Sequence, residues 1–132
     1  HKAIRRQSQM CIRDRLVGPS SIVMAVMASG LNGQSFAFNG YLPVKPPERV
    51  QAIRRFERRA HAEGQSQLFI EAPYRNVKLM EQLLQSLAPE TRLTVAMDIT
   101  APGEFIRTLR VREWRAAELP AMNKRPAIFI IG

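Results

Sequence analysis

Histidine and cysteine are nearly missing from this chain: apart from His1 and His61 there is no histidine, and Cys11 is the one cysteine. A single thiol excludes an intramolecular disulfide, and no Cys/His cluster has zinc-site spacing, so no structural metal is expected. Long apolar runs are missing as well. No stretch reaches the roughly 18 to 20 residues that cross a bilayer, and no signal-peptide core opens the chain, which predicts a soluble, cytoplasmic protein. Two large enzyme classes lack their signatures. No Gly-x-x-x-x-Gly-Lys loop is present to cradle a nucleoside triphosphate. The serines of "GPSS" lack the Gly-x-Ser-x-Gly setting of a nucleophile elbow, and His61 falls on a basic helix, so a Ser-His-Asp hydrolase is not supported.

What is present suits one domain. The 132 residues are 45% hydrophobic, enough for one core and too few for two ordinary domains. The formal charge of +9 points to a polyanionic partner, but it is unevenly spread. Residues 1–15 carry five bases against Asp14 alone, and show no apolar period, cap or turn signal. Their core, "QMCIRDR", resembles a translation of sequencing-adapter DNA; a basic disordered tail is the alternative. The domain proper is therefore expected over residues 16–132. Much of its remaining positive charge lies between Arg49 and Arg59, in "ERVQAIRRFERRAHAEG", a helix with a solvated basic face. Solubility and nucleic-acid contact both remain open for that face.

From Val17 the chain alternates helical and strand signals, which implies a layered α/β sandwich. "GPSSIVMAVMASGLNG" reads as a buried helix ended near Gly30 and Gly33, with Met24 and Met27 as core filler. "SFAFNGYL" alternates like a strand, "PVKPP" is a loop, and a basic helix runs from about Pro47 to His61 and stops at Gly64. Then follow a strand at 67–71, a helix at 74–87, strands at 92–97 and 104–110, a short helix near Arg112 to Ala117, and a strand at 127–131. The last, "AIFIIG", is continuously apolar and belongs inside the sheet.

Ligands of open α/β sheets collect outside the strand ends, and three ends here are unusual. "IEAPYR" sets Glu71 and Arg75 at a strand-to-helix junction, "VAMDIT" places Asp98 and Thr100 after an apolar strand, and "NKRPA" leads Lys124, Arg125 and Pro126 into the last one. A carboxylate closing a buried strand accepts hydrogen bonds from ribose hydroxyls, an amine or a helix N-terminus. Glu71 equally suits a local ion pair with Arg75, and Asp98 a cap or turn.

The ordered series "GPSSIVMAVMASGL", "FAFNGYLPVKPPER", "LFIEAPYRNVKLMEQLLQSL", "RLTVAMDITAPGEFIRT" and "RPAIFIIG" resembles the C-terminal half of a tetrapyrrole methylase-family S-adenosylmethionine-dependent methyltransferase. Its nearest branch is similar to the ribosomal RNA small subunit methyltransferase I group. The resemblance implies the mixed-sheet αβα C-terminal domain of a two-domain enzyme that holds S-adenosyl-L-methionine between its domains, the N-terminal one being absent. By motif it implies donor contacts at Ser20, Ser21, Glu71, Ala72, Ala96, Met97, Asp98, Pro126 and Ala127, with Arg75 toward substrate. RNA of the small ribosomal subunit would then meet Arg54, Arg55, Arg58, Arg59, Lys124 and Arg125, and the intact enzyme would be a homodimer. No catalytic residue is implied. Two departures stand out: Ile70 replaces the aromatic of the group's "FYES" strand, and "DITA" replaces its Glu-Leu-Thr-Lys stretch. A tetrapyrrole or other metabolite therefore stays open as substrate, as does a non-catalytic basic module.

Overall fold

The structure is a computed structural model and describes residues 19–132, with side chains from Ser21 onward. The expected tail at residues 1–15 and the residues up to Gly18 lie outside the described residues. The elements in chain order are α1 (Pro19–Ser29), β1 (Phe36–Tyr41), α2 (Pro46–Glu63), β2 (Ser66–Ile70), a 3-10 turn (Pro73–Arg75), α3 (Asn76–Ser86), β3 (Arg92–Met97), β4 (Phe105–Arg110), α4 (Val111–Ala116) and β5 (Ala127–Ile131). The expected alternation holds, with boundaries displaced by a residue or two at most elements.

The five strands form one mixed sheet in the order β1-β2-β5-β3-β4. β1 and β2 are parallel, joined by α2 as a crossover, while β5 runs antiparallel to both β2 and β3. The ends of β1, β2 and β3 therefore share one rim with the starts of β4 and β5. β2 and β5 are buried along their whole lengths, as the unbroken apolar run of β5 requires once both faces are covered, and β2 buries its polar Ser66 and Gln67 as well.

One face of the sheet is covered by α2, α3 and α4. Phe56 of α2, Phe69 of β2 and Phe129 of β5 stack in series, with centroids 6.3 Å and 6.1 Å apart, inside a core that also holds Leu79, Leu83 and Trp114. α2 opens on Pro46-Pro47, whose rings suit a first turn, and closes on Gly64 at φ 62°, a left-handed cap in which the glycine N–H donates to Ala60 O. Among the described residues the other face is covered by α1 alone, through the inward stripe Ile22, Ala25, Val26 and Ser29. The three layers are those of an αβα sandwich.

α1 departs from the sequence expectation. It is apolar on nearly every side but only its inward stripe is buried: Met24 is 40% and Met27 77% exposed, so neither is core filler. No second helix lies over it among the described residues. A bulge in β1 extends this open apolar surface. The register slips between Phe38 and Tyr41, with Gly40 at φ 70°, so that Phe36, Phe38 and Tyr41 all lie on the α1 side and all stay exposed.

Candidate functional site

The rim shared by the ends of β2 and β3 and the start of β5 gathers most of the residues singled out in the sequence. Glu71 follows β2 and is buried, yet it is not a free carboxylate. It forms an ion pair with Arg49, reaches Arg75 at 3.2 Å between Nε and Oε1, and accepts the Ala72 N–H at 2.8 Å. Pairing with Glu71 holds the Arg75 guanidinium above the usual arginine range against a smaller opposing effect of desolvation. Arg75 also stacks over the exposed ring of Tyr74 at 4.8 Å.

Arg49 is the residue that sequence reasoning misses. Its place in the basic run assigns it to the solvated face, but it is 2% exposed. Its Nε donates to Pro43 O at 2.9 Å and its Nη1 to Gln82 Oε1 at 3.0 Å, so one guanidinium ties the β1–α2 loop, α3 and the end of β2 together. The signal is present: Arg49 leads the buried stripe Ala52, Ile53, Phe56 and Ala60 at helical spacing. Of the predicted basic face, Arg54, Arg55 and Arg58 are exposed and Arg59 is half-buried, with Arg55 and Arg59 lying over the Phe56 ring at 5.1 Å and 5.7 Å.

Asp98 follows β3 and is likewise paired. Arg125 donates from Nε to Asp98 Oδ2, from Nη1 to Ala121 O and from Nη2 to Gly103 O, each at 2.7 Å. The guanidinium expected to meet phosphate is instead turned onto the strand-end loops. Those loops are strained: Asp98, Thr100 and Lys124 all have positive φ, and Thr100 is β-branched at φ 68°. They are also pinned across the rim, since Asp98 N–H donates to Pro126 O at 3.1 Å and Lys124 N–H to Pro73 O at 3.2 Å. Asn76 Nδ2 donates a hydrogen bond to Arg125 O, and its Oδ1 is left buried with no donor.

The remaining predicted positions are brought to the rim in differing ways. Ala96, Met97 and Ala127 are buried in the core with their backbones in the ladder, so they form the floor of the rim and expose no group. Ala72, Pro126 and Lys124 are at least partly accessible. Ser21 is buried in the first turn of α1, beside Ile22, which packs in the same cluster as Ile99 just past Asp98. Ser20 lies in that turn as well, and its side chain is outside the described residues. Among the described residues no three His, Cys, Asp or Glu side chains gather as they would around a metal ion.

No family model matches the chain. Curated relatives do match. It is 29% identical over 98 residues to ribosomal RNA small subunit methyltransferase I of Vibrio cholerae, covering 74% of this chain and 33% of that protein. The protein of the same name from Neisseria meningitidis serogroup B is 30% identical over 102 residues, covering 77% and 33%. The chain resembles the ribosomal RNA small subunit methyltransferase I group. That likeness matches the one carried by the ordered motifs. In the Escherichia coli O157:H7 relative, 27% identical, the match extends to 88% of this chain and 39% of that protein. The chain thus spans between a third and two fifths of the length of these methyltransferases. Among solved structures, the methyltransferase CobJ superposes with a TM-score of 0.52 at 17% identity, over 84% of this chain and 46% of CobJ. That likeness is one of fold.

The rim presents an exposed aromatic ring at Tyr74 and loop backbone held in unusual conformations, above the buried, unpaired Asn76 Oδ1. Its two carboxylates are already neutralised by arginines, so they would meet a ligand only by sharing or exchanging those partners.

Proposed function

We propose that this chain is the C-terminal domain of an S-adenosyl-L-methionine-dependent methyltransferase acting on RNA of the small ribosomal subunit, and that it forms one wall of the donor cleft. The observation that carries the reading is the convergence of three cross-pinned loops at one rim, after β2, after β3 and before β5, the last two of them strained, in a chain whose curated relatives are ribosomal RNA methyltransferases. The donor supplies an already activated methyl group when bound. This chain's part is to orient the donor and exclude water, with Tyr74, Ala72 and the Asp98–Thr100 turn facing it and Glu71 and Asp98 setting the loops. A second domain, cytoplasmic location and a homodimer belong to the same proposal. The open apolar surface of α1 and β1 supports the dimer, which sedimentation of the complete enzyme as a monomer would overturn.

The test is calorimetric titration of S-adenosylmethionine into the complete enzyme, with Glu71→Gln and Asp98→Asn alongside. The expected result is binding by the parent that weakens at least about tenfold in either variant, a loss of roughly 1.4 kcal/mol. A folded parent that binds no donor leaves the basic module as the better account. Donor binding without any affinity for ribosomal RNA redirects the proposal to a smaller metabolite.

The RNA part rests on α2. Arg54 and Arg58 are exposed and one helical turn apart, as phosphate contacts along a strand require. Replacing both with Ala is expected to weaken RNA binding across sequences and lower the salt slope by about one for each phosphate no longer neutralised. Equal slopes in parent and variant would remove the stripe from the interface.

A further inference from the structure

A second cleft lies at the other end of the sheet. Its volume is about 480 Å³, within the range of small-molecule sites, and its walls come from the start of β2, the start of β3, the end of β4 and the last turn of α2. It shares no residue with the Glu71–Asp98 rim.

Arg92 and Arg110 dominate its charge. They stand directly opposite each other in the antiparallel β3–β4 ladder, a like-charge cross-strand pair that costs stability when nothing lies between the two. Glu90 does not balance them. It is 69% exposed and shared between Arg110, at 3.3 Å, and Arg112, at 2.9 Å, while Arg92 has no acidic partner among the described residues. The atom of Arg110 that Glu90 approaches is its buried Nε, and the 3.3 Å contact makes no hydrogen bond. The other nearby acid, Glu57, is taken up by Thr91 Oγ1 and the Ala88 N–H. His61, also on the wall, adds a ring whose Nε2 lies 3.4 Å from Thr91 Oγ1. The cleft thus sets two facing arginines and a histidine beside one mostly exposed, shared carboxylate, and leaves room for an anion with several acceptor oxygens.

We propose that this cleft is a second ligand site, which takes a phosphate group of a ribonucleotide between Arg92 and Arg110. An anion there offsets the cross-strand repulsion and satisfies Arg110 Nε, and arginine's planar fork suits phosphate oxygens. Positions 54, 58 and 61 fall on one stripe of α2, so Arg54 and Arg58 lead along the helix to His61 at the cleft. The phosphate can come from an RNA strand following that stripe or from a free nucleotide. Neither source requires the donor site.

The experiment titrates the full chain with three probes: inorganic phosphate, adenosine monophosphate, and a decaribonucleotide with a 5′-hydroxyl that carries only phosphodiesters. Arg92→Gln, Arg110→Gln and Arg92→Glu are measured beside the parent, with thermal unfolding of each. The expected result is binding of the monophosphate or the decamer that falls at least about tenfold in both glutamine variants, with a salt slope reduced by about one per arginine in the decamer case. A response to the monophosphate alone assigns a free nucleotide, and a response to the decamer assigns a strand. Arg92→Glu is expected to abolish binding while raising the unfolding midpoint, because repulsion across the ladder becomes attraction. That sign separates lost recognition from damaged folding. Unchanged affinity in Arg92→Gln, no binding of any probe at millimolar concentration, or a lowered midpoint in Arg92→Glu would each overturn the proposal. Intact donor binding in the Arg92 variants keeps this outcome separate from the fate of the methyltransferase reading.

Discussion

Arg49→Met is expected to cost the protein about 3 to 5 kcal/mol of stability, measured as a fall in the urea midpoint at constant slope. The size follows from what is left behind. Arg49 and Glu71 have side chains only 2% and 1% exposed, and removing one charge of a buried pair strands the other in a medium that solvates it poorly. Arg75 also touches Glu71, but its side chain is 35% exposed and its pairing is screened by water. Arg75→Met should therefore leave the midpoint nearly unmoved. The bonds from Arg49 to Pro43 and Gln82 enlarge the loss, since both acceptors lose their donor together. The double variant Arg49→Met/Glu71→Met should recover most of the deficit, because two well-packed apolar groups can replace a buried pair at little cost. Equal losses at Arg49 and Arg75, or a double variant no better than the single, would show that burial of this pair is not what makes it matter. With a typical total stability of about 5 to 15 kcal/mol, the single variant would stand close to unfolding at physiological temperature.

The same residue marks the limit of what can be read in the sequence. The strands 92–97 and 127–131 are legible to the residue, because β-prone, mostly apolar runs bounded by Pro and turn residues leave few alternatives. The ends of α2 are legible through its paired prolines and Gly64. The three rim loops are legible too, since Glu71, Asp98 and the 124–126 segment interrupt apolar strands. What they bond to is not. The Glu71–Arg49 pair joins the first turn of the crossover helix to the end of the strand that follows it, and the Asp98–Arg125 pair joins two strands that neighbour only because β5 inserts between β2 and β3. Such pairings are set by sheet order, which local periodicity does not encode. The half-exposed α1 misleads for the opposite reason: an apolar helix reads as buried whether or not this chain supplies what covers it. The cleft with Arg92 and Arg110 leaves no motif at all, as the two arginines meet only through the β3–β4 register.

Trp114→Ala is expected to produce a loss of similar size, about 3 to 5 kcal/mol, by another route. Trp114 is 1% exposed in α4 and packs into the core beneath α2 and α3, so truncation leaves a cavity as large as an indole. Its Nε1–H donates to Leu93 O at 2.8 Å, locking the short helix to β3. Trp114→Phe separates the two contributions. It keeps most of the apolar packing and removes the donor, and should cost only about 1 to 3 kcal/mol. The position of the residue gives the pair of variants a functional readout. α4 follows Arg110 directly, and its first turn is tied back to the β3 approach by Val111 N–H to Thr91 O at 2.8 Å and Arg112 N–H to Pro89 O at 3.0 Å. Loosening α4 therefore frees the end of β4 that holds Arg110, while the Glu71–Asp98 rim lies at the far end of the same strands. Trp114→Phe should accordingly increase amide hydrogen exchange at residues 109–113 and leave exchange at 98–101 unchanged. Equal acceleration at both ends would mean that the sheet opens as one unit, with no separately stable rim.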